Sequence, residues 1–237
     1  MEHPKGVHVA THPLVAHKLT LLRDKHTPSH DFRRILREIT LYLGFEASRG
    51  LKLMKHPITT PMDKEFDGSK LSESISIIPI LRAGLGMSEG LLDLIPRATV
   101  HHIGMYRNKN SLMPIQYYNK LPKDHACDIA FICDPCVATA NSLNACINLI
   151  KKWGAKKIIV IAVIASKAGL SQIIEKHPDI EICVGDVDEE LSEEGMLLPG
   201  IGDAGDRQFG TSKDDLEVDG TDRKRSRSDS YDMLSEK

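Results

Sequence analysis

The residues best equipped for chemistry fall in three loops. The first is Asp134-Pro135-Cys136-Val137-Ala138-Thr139-Ala140-Asn141-Ser142, which places two hydroxyls just ahead of an apolar-periodic stretch beginning near Leu143. Backbone amides at a helix start, together with hydroxyl donors, make a phosphate site, and an acidic residue at the head of the loop can accept hydrogen bonds from ribose hydroxyls. The plainer reading is an ordinary N-cap, with Ser142 closing the helix and nothing bound. The second loop, Arg82-Ala83-Gly84-Leu85-Gly86, sets a guanidinium between a buried apolar run and a glycine-rich turn, where an unpaired charge is costly. The third, Pro199-Gly200-Ile201-Gly202-Asp203-Ala204-Gly205-Asp206, is a turn whose free main-chain groups can read the edge of a flat base.

Other motifs compete with these. Cys133-x-x-Cys136 has redox or half-zinc-site spacing, but no second pair accompanies it and Asp134-Pro135 occupies its middle. Gly200-x-Gly202-x-x-Gly205 spells the dinucleotide fingerprint, yet Leu197-Leu198-Pro199 before it and Asp206 to Gly210 after it predict neither a leading strand nor a following helix. No Walker A pattern occurs. His8 with His12, and His26 with His30, have the spacing of helical metal pairs, but Pro13 and Pro28 interrupt the helices required, so these side chains read as solvated. Arg107, after Met105-Tyr106, is a lone charge at a strand end.

Positioning such loops requires a sheet. Predominantly apolar runs at Ile75–Leu81, Thr99–Met105, Ile129–Cys133, Ile158–Ala165 and Ile180–Val184 read as buried strands. Helical spacing marks 84–95, 143–153 and 170–176, and also 14–22 and 32–47 at the front of the chain. Strands alternating with helices predict an α/β fold: a mostly parallel sheet covered on both faces, with ligands beyond the carboxyl ends of its strands. The segment 107–122 has no helical period, and its halves are expected to pair as a small hairpin projecting from the sheet.

Composition bounds the class. With 41% apolar and 27% charged residues the chain is an ordinary globular one, and its longest apolar run is less than half a membrane span. The net charge of −2 offers no field for nucleic acid or anionic lipid. All of it lies in residues 212–237, which carry six basic and eight acidic residues, while 1–211 balance at 25 of each sign. That tail is too poor in apolar residues to offset its ordering entropy and is expected to be disordered, leaving one domain over 1–211. Within it, Arg223 to Ser228 reads as a solvated basic run or a short import patch. The N-terminus has no secretory pattern, and the five cysteines are odd in number with no framework spacing, so the expected location is the cytoplasm.

Taken together, His12-Pro13-Leu14-Val15-x-His17-Lys18-Leu19, Pro79 to Met87, Gly104-Met105-Tyr106-Arg107-Asn108, Pro199 to Asp206 and Phe209-Gly210-Thr211 resemble the uracil phosphoribosyltransferase family, collinearly from about His12 to Thr211. The resemblance implies a parallel sheet flanked by helices with a small hood or β-hairpin arm. It further implies transfer of the ribosyl phosphate of phosphoribosyl diphosphate (PRPP) to uracil, giving UMP and diphosphate, with Mg2+ carried on the diphosphate. Carried across by position, PRPP would meet Arg82, Arg107, Asp134, Pro135, Cys136, Val137, Ala138, Thr139, Ala140, Asn141, Ser142 and Asp203. Uracil would be read by Leu197, Gly202, Asp203 and Ala204. Arg107 and Asp203 would be the catalytic groups, Asp203 near the metal. The resemblance also implies a homodimer or homotetramer, GTP as an effector in some members, and a strained or cis Leu81–Arg82 peptide.

One departure stands out. The family's phosphate loop has two glycines between its Thr and Ser, whereas Thr139 and Ser142 enclose Ala140 and Asn141. Asn tolerates the left-handed region and Ala does so poorly. The loop is therefore expected either to keep ordinary φ at Ala140 or to bind phosphate weakly. The second outcome would make the chain a weakened or silent homologue with a regulatory or structural role.

Overall fold

In the computed structural model residues 6–107 and 114–211 are described, Arg107 by its backbone alone. The predicted tail, its basic run and the tip of the predicted hairpin lie outside them. In chain order the elements are β1 (Val7–Val9), α1 (Pro13–Arg23), α2 (Ser29–Ala47), β2 (Leu53–Thr59), β3 (Glu65–Leu71), β4 (Ile75–Leu81) and α3 (Leu85–Leu94). Next come β5 (Thr99–Val100), β6 (Ile103–Arg107), β7 (Pro114–Asn119), β8 (Ile129–Cys133), β9 (Cys136–Val137) and α4 (Asn141–Trp153). The described residues end with β10 (Lys157–Ser166), α5 (Lys167–Lys176), β11 (Glu181–Asp188), β12 (Glu190–Leu191), β13 (Leu197–Leu198) and α6 (Ala204–Phe209).

The main sheet runs β1-β11-β10-β8-β4-β6-β7, parallel throughout except for the β6–β7 pair. Its central strands are apolar on both faces because both faces are covered. Ile75, Ile77, Phe131, Ile159 and Ile161 pack on one side with Leu22, Phe32, Leu36, Ile39, Leu43 and Met87 of α1, α2 and α3. The alternate residues Ile78, Ile80, Ile132, Val160 and Ala162 meet Leu143, Ile147, Ile150 and Ile173 of α4 and α5 on the other. The period of two along the strands thus fills two core layers, and each large side chain buried there contributes about 1.5–3 kcal/mol.

Four expectations shift. The run 99–105 divides into β5 and β6, both paired to β4. The predicted hairpin forms, but its first limb is β6 itself, so pairing begins at Ile103 with Asn119 instead of at residue 107. The front of the chain is not helical alone: β1 adds an edge strand, and β2 and β3 pair as an antiparallel arm with exposed residues on both faces. The arm has no buried face within the chain, so its sequence carries no period-two pattern of apolar residues. Finally, a helix does follow the late glycine turn. α6 is capped by Asp203, whose Oδ1 accepts from the Asp206 amide at 2.8 Å.

Candidate functional site

The three loops converge. A cleft of about 260 Å³ at the carboxyl ends of β4, β8 and β9 is walled by Arg82 and Ala83, by Asp134 and Cys136 through Ser142, and by Leu197, Gly202, Asp203 and Ala204. Met105 and Tyr106 of β6, and Gly195 and Met196, complete it. Two residues carried over from the resemblance are not among those walls. Pro135 is buried, and its carbonyl oxygen accepts from the Val163 and Ile164 amides of β10 at 3.1 and 2.9 Å, so it fixes the loop to the sheet. Arg107 ends β6 beside the cleft-lining Tyr106, and its side chain lies outside the described residues.

The Arg82 loop is a tight reversal. The Leu81–Arg82 peptide is cis, as the resemblance implied. The Gly84 amide returns to the Ile80 carbonyl at 2.8 Å, and a Cβ on Gly84 would stand 2.2 Å from the Cys133 carbonyl oxygen. Only glycine lets this loop lie against β8. The guanidinium is not left alone: Nη2 donates to Asp206 Oδ1 at 2.7 Å, and the Thr211 hydroxyl meets the same oxygen at 2.7 Å. The Thr211 hydroxyl, followed by Arg82, holds the Asp206 carboxyl below its ordinary value. Arg82 remains half-exposed and faces the cleft.

The Asp134 loop turns on Ala140, which adopts φ 59°, ψ 5°, the left-handed region. The expectation of ordinary φ there is overturned. The substituted residue takes the conformation glycine would take, at a cost of about 1–2 kcal/mol for the Cβ. Helix α4 therefore starts at Asn141, two residues earlier than expected, so Ser142 lies inside the first turn and is not the N-cap. No side chain caps this helix. Its first residues, Asn141 to Leu143, line the cleft with Thr139, and uncapped amides at a helix start are suited to a phosphate. Beneath the loop, buried Ser166 donates to the Ala138 carbonyl at 2.6 Å and accepts from the Gly169 amide at 2.8 Å, tying the loop to the start of α5. Ser166 was legible only as a small polar residue ending an apolar run.

Burial pushes the Asp134 carboxyl up to about 7, against a hydrogen bond from the Cys136 amide that lowers it. Burial also raises the Cys133 and Cys136 thiols far above their ordinary value, and the carboxylate of Asp134 adds to it. Such thiols are poor nucleophiles and poor metal ligands. Among the described residues no group of three or more His, Cys, Asp or Glu side chains is placed to hold a metal ion.

The third loop reaches the cleft through a cis Leu198–Pro199 peptide and left-handed Gly200 (φ 63°) and Gly202 (φ 72°). Leu197 is buried, while Gly202 and Asp203 are exposed and line the cleft and Ala204 begins α6. No local pattern in the sequence marks its attachment to the rest of the fold: Arg207 Nη1 donates to the carbonyls of Ile201 at 2.9 Å and Leu22 at 2.6 Å, with its guanidinium carbon 4.5 Å above the Phe32 ring.

Comparison with known proteins decides among the readings. A model of the uracil phosphoribosyltransferase family matches residues 9–211. The chain belongs to the uracil phosphoribosyltransferase family. It is 46% identical over 201 residues to the uracil phosphoribosyltransferase of Clostridium novyi, covering 84% of this chain and 96% of that one. The AQ2163 protein of Aquifex aeolicus superposes with a TM-score of 0.82 at 36% identity, over 87% of this chain and 99% of that one. The fold extends further: the adenine phosphoribosyl transferase of Trypanosoma brucei, solved with AMP, pyrophosphate and ribose-5-phosphate, aligns with a TM-score of 0.50 at 13% identity, over 82% and 89% of the two chains. Family membership accounts for the convergence of the three loops, and the match ends at residue 211, where the charged tail begins. No helix among the described residues is long and apolar enough to cross a membrane.

Proposed function

We propose that this protein transfers the 5-phosphoribosyl group of PRPP to N1 of uracil, forming UMP and diphosphate in pyrimidine salvage. The observation that carries this reading is the single cleft shared by the Arg82 turn, the start of α4 and the Gly202–Ala204 backbone. A ribosyl phosphate needs a phosphate cradle, a diphosphate clamp and a base reader within one molecule's reach of each other. The first amides of α4, with Thr139 and Ser142, hold the 5′-phosphate. Asp134 accepts hydrogen bonds from the ribose hydroxyls. Arg82 and Arg107 take the diphosphate, and the main chain at Gly202 to Ala204, with Leu197 beneath, reads the imide edge of uracil. A base with another donor pattern leaves buried polar groups unpaired, so selection is strong.

The bond from C1′ to the diphosphate oxygen breaks as that from C1′ to N1 forms, and the N1 proton is released. The chain's part is orientation and charge stabilisation, with Arg107 and Asp203 as the catalytic groups. The hard carboxylate oxygens of Asp134 and Asp203 at the cleft suit Mg2+, which when bound neutralises the leaving diphosphate. The reading favours an active enzyme over a silent homologue, because Ala140 already holds the loop in the glycine-like conformation. Incubating the protein with uracil, PRPP and Mg2+ should yield UMP and diphosphate in equal amounts. Absence of product from folded protein would overturn the reading.

The cytoplasm is the compartment this chemistry suits. A homodimer or homotetramer is supported by the β2–β3 arm, whose Leu53, Met54, Ile58 and Phe66 are all exposed. An isolated two-stranded arm with exposed apolar residues calls for a covering surface, here a second copy. GTP as an effector is tested in the same assay by its addition.

A further inference from the structure

We infer that Arg23 is a positioning residue for base selection, acting through Asp188 on the backbone of Gly200; this rests on the reading of Gly202 to Ala204 as the base reader. Arg23 is the last residue of α1 and Asp188 the last of β11, and neither lines the substrate cleft. Between them they take both main-chain groups of Gly200. Asp188 Oδ2 accepts from the Gly200 amide at 2.9 Å, and Arg23 Nη1 donates to the Gly200 carbonyl at 3.0 Å.

The clamp is itself tied. Arg23 grips Asp188 with two hydrogen bonds, Nη2 to Oδ1 at 2.7 Å and Nη1 to Oδ2 at 3.2 Å, and Nη2 also donates to Asp186 Oδ2 at 2.8 Å. The Asp188 side chain is 3% exposed and that of Arg23 21%, so the pair is shielded from solvent and its geometry is fixed by bidentate charge-assisted bonds.

Gly200 is a sensitive place to hold the chain. It sits at positive φ, and a Cβ there would stand 2.2 Å from the Leu197 carbonyl oxygen, so only glycine fits the turn. With N–H and C=O both held, the plane of the next peptide is set, and the direction of the Gly202 to Ala204 donors and acceptors follows two residues later. Arg207 fixes Ile201 from the other side by its bond to that carbonyl. Without Arg23, Asp188 is left as a buried carboxylate holding one amide, and the carbonyl of Gly200 loses its donor. The turn can then rotate about Gly200, and the loss falls on uracil. The phosphate cradle at α4 and the Arg82 turn are built from other elements and do not depend on it.

The test is Arg23→Ala in the full chain, with KM for uracil and Kd for PRPP measured separately, and backbone hydrogen exchange followed across residues 200–204. The expected result is a uracil KM raised about 10- to 100-fold, a PRPP Kd within threefold of wild type, faster exchange at Gly200, and partial recovery on adding guanidinium ion. Equal weakening toward both substrates would mark a general structural role and overturn the inference. So would unchanged exchange at Gly200, whether or not the wild type turns over uracil. Arg23→Lys serves if the alanine variant does not fold: one ammonium cannot reach Gly200 and both carboxylates in the same geometry, so the same split is expected at smaller size. Wild-type protein inactive on uracil would defeat the proposed reaction, while the exchange result still decides the clamp.

Discussion

The Gln208 amide nitrogen donates to the Ala83 carbonyl oxygen at 2.8 Å, joining α6 to the turn that carries Arg82. The same nitrogen donates to the Ala204 carbonyl at 2.8 Å, so one buried side chain links the Arg82 turn to the loop that ends at Ala204. Arg33 of α2 holds the Gln208 main-chain carbonyl in turn. Gln208→Ala leaves Ala83 O without a partner and opens a cavity, and should cost about 1–3 kcal/mol in denaturant unfolding. It should lower kcat/KM for uracil and for PRPP together, in contrast to Arg23→Ala.

Asp134 supplies a pH signature. Its carboxyl titrates near 7 in the free protein because burial disfavours the anion. If the ribose hydroxyls bind the ionised form, PRPP affinity should fall as pH drops below 7, by up to about tenfold per unit. PRPP has its own phosphate titration, so the comparison is with Asp134→Asn, in which the extra step disappears. Stability should move the opposite way. A carboxyl raised in the folded state favours folding most below its unfolded pKa, and that contribution is lost as pH rises toward 7. Asp134→Asn should therefore be more stable than wild type at pH 8 by about 1–3 kcal/mol, with the gap closing near pH 4.

Ala140 offers a direct test of the altered phosphate loop. Ala140→Gly removes a left-handed penalty of about 1–2 kcal/mol and loses a buried methyl worth about 0.8 kcal/mol. The variant should be neutral or up to about 1 kcal/mol more stable, with PRPP affinity within a few-fold of wild type. A large gain in PRPP affinity would show that alanine had impaired the site.

The arm can be examined apart from catalysis. Phe66 on β3 is 58% exposed within one chain, so Phe66→Asp should leave the subunit folded by circular dichroism. Sedimentation should show a smaller assembly. An unchanged sedimentation coefficient would remove the arm from the interface.

Much of the sheet was legible because its strands are apolar on both faces: Ile75–Leu81 and Ile129–Cys133 coincide with β4 and β8 residue for residue. The three loops were likewise legible from residue type, since glycine, hydroxyl and charge at strand ends have few other uses. Sequence alone therefore determined the α/β class, the family and the loops that meet at the cleft. Tertiary structure decided what no local pattern encodes. Ala140 is left-handed in a loop whose Ala138 carbonyl is held by Ser166, 28 positions further along the sequence, whereas propensity alone pointed to ordinary φ. The arm has no buried face to give it a period. The partners of Arg82, Arg23, Arg207 and Gln208 lie far along the chain, and a hydrogen bond between distant residues leaves no spacing to read. Which polar side chains face substrate and which brace the backbone behind it is settled only when the chain is folded.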